Sequence, residues 1–413
     1  MGRLVTTLLV LCLIYVTTPT KAFRAHDLRR GLEQATRGRL LADATPAGGS
    51  VVPIHWSPPY YVANFTIGTP PQPASAIIDI AGKLVWTQCS LCRLCFKQDL
   101  PLFVPNASST FRQEPCGTAV CNSIPTRNCS DNVCFYQGPL TQLGGNTYGF
   151  AGTDTFAIGP VTASLAFGCV VASDIDTMDG PSGFIGLGRT PLSLVTQMNL
   201  TKFSYCLSPR NTGKNSRLFL GSSAKLSGGG NTSTAPLIKT SPNDDSSNYY
   251  LLNLEAIKAG NTTIATAQSG GTLVMHTVSP FSLLVDSAYQ AFKKEVTKAV
   301  GGAAPPATPP QPFDLCFKKA AGFSRASAPD LVFTFQGAGG AVTLTAPPTK
   351  YLIDVGEEKD TVCMAILSMA LLNKTGLEGV SVLGSLQQED VHFLYDLKKE
   401  TLSFEPADCS SLS

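Results

Sequence analysis

The sequence has little charge and no strong bias of sign. Only 15% of its 413 residues are Asp, Glu, Lys or Arg, and the formal net charge is +2. That balance gives nothing for nucleic acid or an anionic membrane surface to hold. Seven of the 31 Lys/Arg, but three of the 29 Asp/Glu, fall in residues 1–50, leaving 24 against 26 in the rest. A basic head thus leads a near-neutral body. Long apolar runs are also scarce. The run from Leu4 to Val16 is short for a bilayer, and neither a stop-transfer pattern nor a hydrophobic tail follows. Extended helical patterns are rare as well, whereas Gly (37) and Pro (29) are abundant, as in a turn-heavy, mostly β protein. At this length two lobes of ordinary domain size are expected.

What is present points to export. Arg3, the apolar run and Thr20-Lys21-Ala22 have the form of a cleaved signal, expected over residues 1–22. A membrane anchor is the competing reading, and no stable anchor is expected. The Arg-rich stretch that follows suggests a propeptide or disordered N-terminal segment over 23–55. Lobes are then expected over 56–240 and 241–413. Beyond Cys12 in the signal, twelve cysteines remain, an even number that permits six disulfides. The spacing Cys89-x-x-Cys92-x-x-Cys95 would suit zinc in a cytosolic chain; behind a signal it reads as disulfide framework. Seven Asn-x-Ser/Thr sequons, at Asn64, Asn106, Asn128, Asn199, Asn231, Asn261 and Asn373, fit the same compartment, with Cys129 inside the Asn128 sequon as a complication. The expected location is the extracellular space, cell wall or apoplast, with the vacuole as the other destination.

Strands are expected at Tyr60–Gly68, Ala76–Asp79, Leu84–Trp86, Ser164–Val171, Arg217–Leu220, Leu331–Phe335 and Val391–Asp396. One good helix is expected from Ser287 to Val300, opened by a Ser287-x-x-Gln290 capping box and closed by Gly301-Gly302. The chain also resembles itself. Tyr249-Tyr250-Leu251-Leu252-Asn253-Leu254 parallels Tyr60-Tyr61-Val62-Ala63-Asn64-Phe65, and Val382-Leu383-Gly384 parallels Phe184-Ile185-Gly186. One unit used twice implies two related lobes flanking a cleft, where ligands usually bind.

These motifs resemble those of plant nepenthesin-type aspartic proteases and the related cereal xylanase-inhibitor proteins. The resemblance rests on Tyr61 to Pro71, Leu84-Val85-Trp86-Thr87-Gln88-Cys89, Phe167-Gly168-Cys169, Gly183 to Arg189, Phe203 to Leu207 and Val382 to Cys409. It implies a mostly β, bilobal pepsin-like fold and six disulfides; Cys316 with Cys363 is the one pairing expected by name. It implies no cofactor and no metal. It also implies two Asp carboxylates, one per lobe, sharing a proton across a water.

Here the pair looks broken. The first loop reads Asp79-Ile80-Ala81-Gly82-Lys83, so the carboxylate is kept while the bracing hydroxyl and first glycine of an Asp-Thr/Ser-Gly turn are lost. The second reads Leu273-Val274-Met275-His276-Thr277, which sets Met275 at the second Asp position and His276 at the bracing position. His276 is then a hydrogen-bonded structural residue or, as the sharper reading, a makeshift acid–base partner of Asp79. The retained Asp79 reads first as an acceptor of backbone hydrogen bonds. The flap tyrosine of the resembled family is replaced by Leu140 or Gln142. The expected function is a catalytically impaired, secreted binding or inhibitor protein of the xylanase-inhibitor type. The alternative is an aspartic endopeptidase working outside the cell or in the vacuole. The expected partner is a protein or peptide in or near the cleft, with a glycoside hydrolase as one class; the chain is expected to be a monomer.

Overall fold

Short β-branched and aromatic runs, cut by Gly, Pro and Asn, leave this chain few ways to bury its apolar side chains except as layered strands. A computed structural model describes residues 49–412, apart from 125, 139–145, 175–176, 211, 230, 241–245, 302–305, 320–322, 338, 357–359 and 373–378. The signal expected over 1–22, residues 23–48 of the segment expected as propeptide or disordered, the flap candidates Leu140 and Gln142, and Asn373 lie outside the described residues, while residues 50–55 of that segment form strand because Val52 and Ile54 bury in the core. The described chain forms two units. One holds residues up to Phe203 with Arg217–Ala224; the other holds Ser204–Ser216 with Lys225–Leu412. The mostly β, pepsin-like two-lobed architecture expected from sequence is what the chain adopts.

In the first unit, β1 (Ser50–Ser57), β2 (Tyr60–Ile67) and β3 (Gln72–Asp79) run as an antiparallel meander. The turn into β3 begins at Gly68, whose φ of +86° and a built Cβ 2.6 Å from Ser108 Oγ both require glycine. After β4 (Val85–Gln88) come the long hairpin strands β5 (Thr147–Ile158) and β6 (Val161–Ser173), with β6 parallel to β4. The strand β7 (Gly183–Gly186) inserts between β3 and β4, parallel to the first and antiparallel to the second. Trp86 stacks on Phe184 with ring centroids 5.1 Å apart, and Phe156 meets Phe167 edge-on at 5.2 Å, so aromatic packing fixes this crossing.

The second unit repeats the pattern. Strands β8 (Leu251–Ala259), β9 (Thr272–Met275) and β10 (Ser282–Leu284) precede α1 (Asp286–Val300). They are followed by β11 (Leu331–Phe335), β12 (Ile366–Ser368), β13 (Val380–Leu383) and the hairpin β14 (Val391–Asp396) with β15 (Thr401–Pro406). The sheet order is β11-β8-β9-β13-β10-β12. Again the late strand, β13, lies parallel to β9 and antiparallel to β10. Helix α1 buries Ala288, Tyr289, Phe292, Val296 and Val300, with Phe292 edge-on to Tyr351 at 5.1 Å.

The helix differs from the sequence reading at its start. It begins one residue earlier, the N-cap Val285 makes no side-chain capping hydrogen bond, and the expected Ser287–Gln290 capping box does not form. Asp286 takes over the first turn: its Oδ1 accepts from Ser368 Oγ (2.6 Å) and Gln290 Nε2 (3.2 Å), and its charge suits the positive helix end.

All twelve cysteines after Cys12 pair: Cys89–Cys169, Cys92–Cys95, Cys116–Cys129, Cys121–Cys134, Cys206–Cys409 and Cys316–Cys363. The last is the pairing expected by name, and the Cys-x-x-Cys-x-x-Cys run holds disulfides. Among the described residues no group of His, Cys, Asp or Glu could hold a metal ion, and no helix is long and apolar enough to cross a membrane.

Candidate active site

Asp79 ends β3 and is 1% exposed. Its Oδ1 accepts the Ala81 N–H at 2.9 Å, and its carbonyl accepts from Gly82 (3.1 Å) and Leu187 (2.8 Å). Its Oδ2 is buried with no hydrogen-bond partner among the described residues. Burial pushes the carboxyl up to about 7, against the pull of the Ala81 and Gly82 amides. Ile80 and Ala81 are both buried, so the groups that replace the hydroxyl and glycine of an Asp-Thr/Ser-Gly turn pack into the core.

Gly82 keeps this loop closed. A Cβ there would stand 2.7 Å from Gly186 Cα, a backbone atom, and 3.0 Å from Asp79 Cγ, in a carboxylate held by burial and by the Ala81 N–H. We expect Gly82→Ala to cost about 2 kcal/mol or more, through backbone displacement at the carboxylate. A denaturant midpoint within error of the parent would show that the loop opens freely.

The second loop is built on β9 and β13. Met275 is fully buried; its N–H donates to Tyr250 O at 3.2 Å. His276 is 8% exposed, and its N–H donates to Leu383 O at 3.1 Å. The His276 Nδ1 accepts the Ser279 N–H at 2.8 Å. Burial pulls the imidazole down to about 4, so it is neutral at ordinary pH.

Strand register decides which of the two residues corresponds to Asp79. In the first unit Asp79 lies opposite Gly186. In the second, Met275 lies opposite Leu383, which leaves His276 opposite Gly384, the glycine that ends the parallel Val-Leu-Gly motif. The antiparallel pairings agree. Phe184 faces Trp86, seven residues after Asp79; Val382 faces Leu283, seven residues after His276. The entering hairpins agree too, since Val62 pairs with Ile77 and Leu251 with Val274, each two residues before the site residue. Three registers thus correct the assignment made from sequence. Met275 is the buried strand residue before the site, and His276 holds the counterpart position. The register is set by pairing to β13, which the all-apolar run Leu273-Val274-Met275 does not display.

Sequence reasoning missed the support beneath this loop. Gln388 donates to His276 O (2.8 Å) and Leu383 O (2.9 Å), while its Oε1 accepts from Tyr205 Oη (2.5 Å), which lies 3.2 Å from Tyr395 Oη. The side chains of Gln388, Tyr205 and Tyr395 are fully buried. The equal seven-residue spacing to Trp86 and Leu283 was the available signal for the register; none marks Gln388. From Thr272 to Val285 the second loop carries no Asp or Glu. The nearest, Asp286, is engaged in the first turn of α1.

Comparison with known proteins follows the same division. The family described as Xylanase inhibitor N-terminal matches residues 61–222, and that described as Xylanase inhibitor C-terminal matches 249–406. The chain is 30% identical over 401 residues to aspartic proteinase nepenthesin-1 of Nepenthes gracilis, covering 93% of this chain and 86% of the relative. Nepenthesin-2 of the same plant is 29% identical over 395 residues, with the same coverage. Among solved structures, basic 7S globulin from soybean superposes with a TM-score of 0.68 at 20% identity, over 88% of this chain and all of that one. Conglutin gamma from lupine seeds gives 0.67 at 19%, over 87% and 95%. These two likenesses show the fold alone. With both halves matched and a proteinase relative aligned along nearly its whole length, the chain belongs to the pepsin-like aspartic protease family with xylanase-inhibitor N- and C-terminal domains.

Proposed function

We propose that this protein is a secreted pepsin-fold binding or inhibitor protein that has lost peptide-bond hydrolysis. One observation carries the reading: the position that answers to Asp79 holds a buried neutral imidazole, His276, on a loop without any acid. Hydrolysis by this fold needs one carboxylate to take a proton from water and one carboxyl to polarise the scissile carbonyl. An imidazole whose Nδ1 is tied to the Ser279 N–H, and whose protonation burial pushes down to about 4, does not replace a carboxyl that shares a proton with Asp79. Since paired groups act as a unit, the surviving Asp79 contributes little alone.

The test is cleavage of acid-denatured protein at about pH 3–5, where a carboxylate pair works, with and without pepstatin. We expect no turnover above that of Asp79→Asn. Pepstatin-sensitive turnover that Asp79→Asn abolishes would establish the second reading, an aspartic endopeptidase, which the overall similarity to nepenthesins favours.

For a binding role, membership of the xylanase-inhibitor family suggests an extracellular glycoside hydrolase as target class. Capture of such an enzyme by the mature protein, with loss of the enzyme's activity, tests that extension. Export is supported by six disulfides, by the signal-like residues 1–22, and by the exposed Asn of all six described sequons. The pro-segment is proposed within residues 23–49, because Ser50–Ser57 form β1, which pairs with β2 and buries Val52 and Ile54.

A further inference from the structure

We infer that His276 is the positioning residue of the second loop, and that its Nδ1 does there what the Asp79 carboxylate does in the first. In the first unit the site residue closes its own loop by accepting the Ala81 N–H on Oδ1 at 2.9 Å, with the Gly82 amide also favouring the charged carboxylate. In the second, Ser279 stands as far beyond His276 as Gly82 stands beyond Asp79, and the Ser279 N–H donates to His276 Nδ1 at 2.8 Å. Both acceptors are atoms bonded to Cγ. Both loops are thus tied by the side chain at the position opposite the motif glycine, Gly186 or Gly384.

The chemistry narrows the form of the imidazole. Nδ1 accepts only when it carries no proton, so the ring is the neutral tautomer with its hydrogen on Nε2. Protonation at Nδ1 would set two N–H groups against each other inside the core. The backbone on the other side is held by Gln388, which ties His276 O to Leu383 O, and the Ser279 Oγ donates to Phe281 O at 2.8 Å. Phe281 in turn packs edge-on against Phe313 at 5.3 Å, in the cluster with Cys316 and Cys363. The loop therefore keeps a carboxylate-like tie to its backbone without a carboxylate. A histidine can stand in this role; a residue with no acceptor on its γ substituents cannot. The inference does not depend on the loss of hydrolysis proposed above, because it concerns what holds the loop.

The experiment is a set of four substitutions read by amide hydrogen exchange at Ser279 and by the ring-nitrogen resonances of His276 in the full mature chain. His276→Asn and His276→Asp put an acceptor oxygen on Cγ, where Nδ1 is; His276→Gln puts it one bond further out; His276→Ala removes it. We expect Asn and Asp to keep Ser279 protected to within a few fold, and Gln and Ala to speed its exchange about ten-fold or more. In the parent, Nδ1 should resonate as an unprotonated nitrogen near neutral pH. Overturning results would be a protonated Nδ1 in the parent, Ala protecting Ser279 as well as histidine does, or Gln matching Asn. Proteolysis plays no part in these readouts, so the inference and the proposed function can fail separately.

Discussion

Met275→Asp is expected to destabilise the second unit by about 3–5 kcal/mol, the range for a carboxylate buried without a partner. Met275 has no exposed surface, and strand register directs it to the core side, one residue before the position that answers to Asp79. An aspartate there would have to ionise inside an apolar layer or carry its proton to near-neutral pH. Urea unfolding at about neutral pH, where an ordinary aspartate is charged, should show a clear fall in midpoint without a change in slope. A Met275→Asp protein that unfolds within about 1 kcal/mol of the parent, the usual size of a surface change, would mean that the side chain reaches solvent, and would return Met275 to the site. Because the fold would be weakened rather than the site completed, no gain of proteolysis is expected from this substitution.

Asp79→Asn is expected to change how stability depends on pH. The folded-state carboxyl sits at about 7, far above its ordinary value of 3.8. Between those values the folded chain binds a proton that the unfolded chain has released, so stability is fully present below about pH 4 and is lost as pH rises through about 7. His276 acts with the opposite sign. Its folded value is about 4 against 6.5 ordinarily, so over that window the unfolded chain binds the extra proton and stability rises with pH. In the parent the two slopes oppose each other across their shared range. Removing the carboxyl should expose the histidine slope: Asp79→Asn should gain stability from about pH 4 to 6.5, by an amount on the order of a few kcal/mol. His276→Asn should show the converse, a loss as pH rises. Denaturant midpoints at pH steps through this range would check both; parallel curves for the parent and Asp79→Asn would rule out the buried carboxyl as their source.

Much of the fold was legible in the residues. The strands at Leu331–Phe335 and Val391–Asp396 have the bounds read from sequence, because each is short, apolar and flanked by turn residues. The repeated Tyr-Tyr motif and the paired apolar-apolar-Gly motifs gave the duplication. Asp79 could be named because the resemblance sets the first Asp at the end of the apolar run Ala76-Ile77-Ile78. The second site residue slipped by one for a physical reason. Leu273, Val274 and Met275 are all apolar, so although burial alternates along the strand, with Val274 half-buried between buried Leu273 and Met275, the residues themselves show no two-residue period that would fix register. Register there is set by hydrogen bonding to β13 and β10, which the sequence does not display. The helix start failed similarly: Ser287-x-x-Gln290 satisfied a local pattern, but Ser368, distant in sequence, engages Asp286 and draws the first turn back by one residue.

The placement of Cys206 and Cys409 has a bearing on what a protease would do to this protein. The bridge spans a sequence separation of 203, and the exposed stretch around Lys225–Gly229 lies between its ends. A single cut in that stretch severs the main chain but not the molecule: the two fragments stay joined through sulfur. Nicked protein would therefore migrate as one species without reductant and as two with it, and clipping alone would not release either piece from its neighbour.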